Sequence, residues 1–285
     1  MPFCRPQSVQ EACQLLAEDV RRVPIAGGTD LLVRWPQRLD AHALTYVDLS
    51  PLSELRSIAW SEDALHLGGL TTYWDVIQDR RVGEEFPLLV RAARQVGAIQ
   101  IQTRGTWAGN IANASPAADG VAALLAYDGV VELSSCAGDA EVALADFYLG
   151  YKQMRRGPDQ LIRAIRLPRQ RRSFELFEKV GSRAAQAIAK VGVAVVRSTS
   201  GWRVVASSMG PCVCRCPQLE ALLEAGTAIG RPEDLLPALR SDVSPIDDLR
   251  STAEYREAVM ARVLFFALFS GAPSPGRTLR EPVGR

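Results

Sequence analysis

The first apolar pattern along the chain is helical. Val9, Ala12, Cys13, Leu16 and Ala17 recur at intervals of three and four, which puts them on one face of a helix over residues 7–18. Ser8 stands where it can cap this helix, with Glu11 at the box position. The next apolar runs are short. Val23-Pro24-Ile25-Ala26 reads as a strand, and so do residues 44–49, centred on Tyr46-Val47-Asp48-Leu49 and closed by Pro51. Ile58 with Trp60, and residues 65–67, make a hairpin pattern about Ser61-Glu62-Asp63. Thr71 or Thr72 caps a helix over residues 73–79. Pro87 opens a second over residues 86–96, which stops at Gly97.

Residues 98–119 (AIQIQTRGTWAGNIANASPAAD) break the pattern. They are too irregular for a regular element and too apolar for a solvated linker. We expect a long ordered loop of small and polar residues, where backbone can approach a ligand closely. Helix resumes over 120–125, strands follow at 128–134 and 141–144 around a turn at Gly138, and 146–151 reads as a short helical piece. Residues 161–167 form a strand ended by Pro168. The chain then crosses a basic turn, Arg169-Gln170-Arg171-Arg172, into the alternating run Ser173-Phe174-Glu175-Leu176-Phe177-Glu178-Lys179-Val180. Residues 187–196 are apolar and helical or extended, 202–207 are a strand, and 212–216 a further candidate. Two capped helices close the chain, at 218–225 and at 253–269, the latter behind Ser251 or Thr252. A domain boundary falls near residue 170.

Composition narrows the classes. The chain has 285 residues, 47% hydrophobic and 23% charged, which is enough for two globular domains. Its 33 Lys and Arg face 32 Asp and Glu, so no field gathers nucleic acid. The basic pairs, Arg155-Arg156 among them, read as solvated turns, with contact to a phosphate or an acidic partner as the alternative. No run approaches the roughly 20 apolar residues of a membrane helix, and residues 1–16 lack the layout of a signal peptide, so a cytoplasmic protein without membrane insertion is expected. Six cysteines are too sparse for a disulfide scaffold. Cys212, Cys214 and Cys216 would point the same way in a strand and three thiols could converge there, although buried small hydrophobes are the plainer reading. The two histidines, His42 and His66, stand in no ligand pattern. No metal site and no catalytic triad is assigned.

Chemistry concentrates in two segments. Gly27-Gly28-Thr29-Asp30-Leu31 follows a strand, and its glycines permit a tight turn with backbone N–H groups close to an anion. It is neither the dinucleotide fingerprint nor the P-loop. The second segment, Gly105-Thr106-Trp107-Ala108-Gly109-Asn110-Ile111-Ala112-Asn113-Ala114-Ser115-Pro116-Ala117-Ala118-Asp119, offers hydroxyls, amides and exposed N–H groups in series, as a pyrophosphate requires.

Together these segments resemble the FAD-binding subunits of the molybdenum hydroxylases, such as the flavin subunit of xanthine dehydrogenase and the medium subunit of aerobic carbon monoxide dehydrogenase. The resemblance extends through Gly69-Leu70-Thr71-Thr72, Asp146-Phe147-Tyr148-Leu149-Gly150-Tyr151 and Ile165-Arg166-Leu167-Pro168. It continues through Phe177-Glu178-Lys179-Val180-Gly181-Ser182-Arg183, Ile188-Ala189-Lys190-Val191, and Pro245-Ile246-Asp247-Asp248 before Tyr255-Arg256. It implies an α+β protein: an FAD-binding PCMH-type (vanillyl-alcohol-oxidase-like) domain over residues 1–170, made of two α/β subdomains (about 1–55 and 56–170), and a C-terminal α+β domain over 171–285. It assigns the diphosphate to Ala26, Gly27, Gly28, Thr29, Asp30, Leu31 and Leu32 with Thr106, Gly109 and Asn110. The ribityl or adenosine portion goes to Asp119. Leu167 or a neighbour packs near the cofactor, and Lys179 lies close to the flavin ring.

The resemblance further implies partners: a small subunit with two [2Fe–2S] clusters and a large molybdopterin-binding subunit, assembled as a dimer of heterotrimers. This chain would pass their electrons through FAD to NAD⁺, dioxygen or another acceptor. Neither motif holds a histidine or cysteine, so the FAD is expected to be non-covalent. Three positions depart from the usual pattern: Gln102 where an arginine is common, Trp107 for a small aliphatic residue, and Ala108 for a glycine. Trp107 is expected to fill core. A self-contained FAD oxidoreductase of the vanillyl-alcohol oxidase superfamily, and an assembly subunit that has lost FAD, are the alternatives.

Overall fold

A computed structural model describes residues 3–33, 44–269 and 277–279; His42 lies outside them. Strand β1 (Phe3–Cys4) leads to helix α1 (Val9–Glu18), where Ser8 Oγ accepts the Glu11 amide at 3.1 Å. The Glu11 carboxylate takes the Gln7 amide at 2.7 Å, one residue before the expected box partner. Strands β2 (Arg22–Ile25) and β3 (Thr45–Asp48) complete a parallel three-stranded sheet in the order β1-β3-β2. Ala12, Cys13 and Leu16 pack from α1 onto Val47 and Leu49, so the helical stripe read from the sequence is the face that covers this sheet.

The second layer is antiparallel. Hairpin β4 (Ile58–Trp60) and β5 (Ala64–Gly68) is followed by α2 (Tyr73–Gln78), α3 (Arg80–Glu85), α4 (Pro87–Gln95), α5 (Ile99–Gln102), α6 (Trp107–Asn113) and α7 (Asp119–Ala126). Thr72, not Thr71, caps α2 through a full capping box with Asp75. Then come β6 (Val130–Ser135), β7 (Gly138–Ala143), the small hairpin β8 (Tyr148–Gly150) with β9 (Gln153–Met154), and β10 (Leu161–Pro168). The sheet order is β4-β5-β10-β6-β7.

The third sheet, β14-β13-β12-β11-β15, is also antiparallel. It comprises β11 (Arg172–Val180), β12 (Val191–Ser198), β13 (Gly201–Ser207), β14 (Cys214–Arg215) and β15 (Arg277–Leu279). It carries α8 (Pro217–Glu224), α9 (Leu236–Asp242) and α10 (Ala253–Leu268), the last capped by Thr252. The apolar run at 187–196 thus resolves as extended chain. The run around Cys212–Cys216 is a strand only at Cys214–Arg215. The arrangement is the α+β one expected, two sheets with their helices followed by a third; residues 146–151 end in strand β8, not helix.

Strand alternation explains how the third sheet joins the rest. Leu176, Val193, Val195, Val204 and Ala206 face α8, α9 and α10, whereas Phe177, Ala194, Val196 and Val205 join the core around α7. Every residue of α7 is buried, so it is apolar all round rather than amphipathic. Polar pins cross the same boundary. Tyr127 Oη donates to Glu175 at 2.9 Å and accepts the Leu88 amide at 3.0 Å, with the Arg172 guanidinium 4.4 Å from its ring centre. No helix among the described residues is long and apolar enough to cross a membrane.

This junction yields a prediction. Tyr127→Phe removes the donor to the buried Glu175 and the acceptor of the Leu88 amide, and should cost about 1–3 kcal/mol of unfolding free energy by urea titration. An unchanged stability would show that the pin contributes nothing.

Candidate functional site

The site begins where β2 ends. The chain leaves Ile25 and turns at Gly28, whose φ of +72° strains any side chain. Leu32 N–H closes the turn on the Gly28 carbonyl at 2.9 Å. The amides of Gly27, Gly28, Thr29 and Asp30 donate to no other described group. Gly27 is the tightest point: a Cβ there would stand 1.7 Å from the carbonyl oxygen of Arg104. The first glycine loop therefore lies backbone to backbone on the second segment, which a side chain of any size would prevent.

The second segment is more regular than the sequence suggested. Helices α5 and α6 occupy parts of residues 98–119, where the sequence pattern predicts a loop. Thr106 caps α6, its Oγ accepting the Gly109 amide at 3.0 Å. Backbone bonds Tyr73 N–H to Gly105 O (3.1 Å) and Trp107 N–H to Thr71 O (3.1 Å) fix the approach to α6. Trp107 is fully buried against Tyr73, ring centres 5.0 Å apart, and so fills core as expected. Gln102 is buried and its amide spans the carbonyls of Arg94 (3.3 Å) and Val96 (3.2 Å), tying α5 to the end of α4. Asn110 Oδ1 accepts the Val121 amide at 3.2 Å and thereby links α6 to α7.

Between the two segments lies a cavity of about 600 Å³, within the range of small-molecule and cofactor sites. Of the residues assigned from the sequence, Ala26, Gly27, Gly28, Thr29, Asp30, Leu31, Thr106, Gly109 and Asn110 line it. Leu32 follows directly but is half exposed outside the lining. Leu167 is fully buried in the core opposite Leu65, whereas Leu161 and Ile162 at the start of the same strand line the cavity. Ala108 lines it also.

Asp119 and Lys179 lie outside this lining and form a buried ion pair, Nζ to Oδ2 2.5 Å, that joins α7 to β11. Lys179 Nζ also donates to Gln95 O at 3.0 Å, and it borders a small recess with Arg94, Gln95, Gly97 and Arg183. Burial pushes the Asp119 carboxyl up to about 6, against the pull of the Lys179 ammonium. The other Asp119 oxygen, Oδ1, is buried with no hydrogen-bond partner.

Sequence reasoning did not assign Tyr73, Val96, Ile101, Lys152 or Arg156 to the site, yet all line the cavity. Gly69, quoted above only as part of a motif, lines it too. A Cβ on Gly69 would come within 2.5 Å of the Ile162 carbonyl, which is the physical trace of its place there. The pair Arg155-Arg156 was visible but read as a solvated turn.

Residues 1–170 match the family model described as "FAD binding domain in molybdopterin dehydrogenase", and residues 176–271 match "CO dehydrogenase flavoprotein C-terminal domain". The chain belongs to the FAD-binding subunits of the molybdenum hydroxylases. It is 31% identical to the nicotinate dehydrogenase FAD-subunit of Eubacterium barkeri, over 90% of each chain. It is 30% identical to the carbon monoxide dehydrogenase medium chain of Afipia carboxidovorans, over 89% of this chain and 90% of that one. A solved structure, the reconstituted CO dehydrogenase from Oligotropha carboxidovorans, aligns with a TM-score of 0.86 at 25% identity, covering 93% of this chain and 94% of that chain. The unpartnered amides of the first loop, the bare Gly27 and the cavity volume fit an FAD-binding role.

Two outcomes follow from this geometry. Gly27→Ala should cost about 3 kcal/mol in stability and abolish FAD retention, because backbone must move to admit the methyl. Gly83→Ala, where a Cβ meets nothing nearer than a Val90 methyl at 4.0 Å, should stay within about 0.5 kcal/mol of wild type. Equal melting temperatures and flavin content in Gly27→Ala and wild type would contradict the packing described. Asp119 sets a pH signature. Its folded pKa of about 6 exceeds the ordinary 3.8, so the folded chain holds the proton more tightly and this group's contribution to stability falls as pH rises through that window. The difference in unfolding free energy between wild type and Asp119→Asn should therefore decline from roughly pH 4 to 6 and level off above about 7; a flat difference would show an unshifted carboxyl.

Proposed function

We propose that the loop Ala26–Leu32, with Thr106, Gly109 and Asn110, holds the diphosphate of a non-covalently bound FAD. The observation that carries this reading is the cavity formed where the two glycine segments lie backbone to backbone, with four amides in a row left open to a ligand. Asp119 and Lys179 are assigned to the flavin end, where the Lys179 ammonium favours an anionic reduced ring electrostatically. The backbone near Leu161 and Ile162 serves the other end, in place of Leu167 itself. The division near residue 170 separates the cofactor-binding part from the C-terminal part that packs against its helix α7.

Non-covalent attachment is supported by the lining. No cysteine or histidine is among the described residues of the cavity. Tyr73 and Tyr151 line it; at Tyr73, burial and the charges of Asp119 and Asp30 hold the phenol protonated, well above its usual range, which keeps that residue a poor nucleophile.

When bound, FAD supplies the exchange between single-electron donors and an acceptor such as NAD⁺, dioxygen or another oxidant. The chain's own residues bind it, orient it and set the field around it. The donors in this reading are the [2Fe–2S] clusters of a small partner subunit, which relay electrons from a large molybdopterin-binding subunit. The complex is a dimer of heterotrimers in the cytoplasm.

The test is an absorption spectrum of the purified chain before and after acid denaturation. A yellow protein that releases about one FAD per chain is expected. Colour that stays with the polypeptide would overturn non-covalent attachment. Oxidation of an organic substrate by the isolated chain would favour the self-contained oxidase.

A further inference from the structure

The cavity has two chemically different ends. Thr106, at the start of α6, adjoins Tyr73 and Thr29: a Cβ on Gly105 would meet Tyr73 Cε2 at 3.1 Å and Thr29 Oγ1 at 3.4 Å. Val96 and Ile101 line the cavity on this side, and the Asp119–Lys179 pair lies behind it, Lys179 reaching Gln95 one residue before Val96. This end is apolar and aromatic. The seven residues of α6 then carry the lining about 10 Å further, to Ala112 and Asn113.

Two cations line the cavity beyond the aromatic end. Lys152 holds a left-handed backbone, φ +58°, and its ammonium donates to the Asn113 carbonyl and to Asn113 Oδ1. Arg156, on the turn Arg156-Gly157-Pro158-Asp159-Gln160 just before Leu161, lines the same cavity. Its Nη1 donates to the Gln160 carbonyl, and Gly157 N–H donates to Gln160 Oε1 at 2.8 Å, so the turn aims the guanidinium at the cavity. Arg156 makes no ion pair among the described residues. Its Nη2 has no hydrogen-bond partner among them, and its Nε is buried without one. Burial outweighs the nearby Asp159 and lowers its pKa, the mark of a cation taken partly out of water without full compensation. A desolvated charge of this kind is costly unless an anion or a set of acceptors meets it. A guanidinium presents its donors as a planar fork suited to phosphate and ribose oxygens.

We infer that Arg156, with Lys152 in the same lining, anchors the ADP half of the cofactor and makes the cavity selective for FAD over FMN. The inference rests on the proposed function. The apolar, aromatic end suits a flat tricyclic ring, the open amides of residues 27–30 suit the diphosphate, and the cationic end takes what lies beyond. FMN ends at its single phosphate and lacks the ADP half that Arg156 is inferred to hold. Arg156 is a binding residue here and takes no part in electron transfer.

The experiment uses the full-length chain stripped of flavin and titrated with FAD, FMN and ADP, followed by flavin fluorescence or calorimetry. Wild type should bind FAD more tightly than FMN, with ADP competing for the FAD site. Arg156→Met should raise the Kd for FAD about ten-fold, about 1.4 kcal/mol, and weaken ADP competition by a similar factor. The Kd for FMN should not move. Arg156→Lys should recover part of the loss. Melting of the flavin-free variants checks that they are folded, and Arg156→Gln carries the same comparison if Arg156→Met is not. A folded variant with unchanged FAD affinity, or one that loses FAD and FMN equally, would overturn the inference. Wild type that binds no FAD would instead overturn the proposed function, so the two failures are distinguishable.

Discussion

The approach of Gly27 to the carbonyl of Arg104 governs how the cofactor part is built. Two stretches of backbone from different layers meet with no side chain between them, since a Cβ on Gly27 would fall 1.7 Å from that oxygen. This contact sets the gap between the parallel sheet and the helical segment α5–α6. The first loop's amides have no partner among the described residues, and the loop lines the cavity. Around it, small residues and side-chain clamps hold the two segments in register: Gly69 against Ile162, Gln102 across the carbonyls ending α4, and Asn110 on the first turn of α7.

Helix α7 extends the same logic to the C-terminal sheet. It is buried on every side, packed between the α4–α6 layer and the strands β12 and β13. Charge enters this core at Asp119, which meets Lys179 across the boundary, and at the Tyr127–Glu175 pin with Arg172 over the Tyr127 ring. A buried pair of this kind adds little net stability, but removing one member leaves an uncompensated charge. That penalty ties β11 of the C-terminal sheet to α7 and so to the part that carries the cavity.

Much of this was legible in the chain. Strand alternation gave the β4–β5 hairpin and β11, apolar spacing gave α1, and Ser8 and Thr252 stand at the helix starts where their side chains accept amides. The glycine loop was visible because only a special backbone needs two adjacent glycines after a strand. The helices within 98–119 were not, because each is too short, four and seven residues, to show an apolar period. Helix α9 and strand β15 gave too little pattern to read. Lys152 and Arg156 were missed for a different reason. A basic run in a turn looks the same in sequence whether it meets water or a cavity, and only the fold of β8–β10 decides which. Leu167 shows the limit of transfer by motif: Leu161 and Ile162, at the other end of the same strand, reach the cavity.

The most direct measurement is a structure of the FAD-loaded complex at a resolution that places the diphosphate. The account predicts its oxygens against the amides of Gly27–Asp30 and the Thr106–Asn110 turn, with the flavin toward Tyr73 and Ile101 and the adenosine toward Arg156. A diphosphate bound elsewhere, or an FAD lying the other way round, would contradict it.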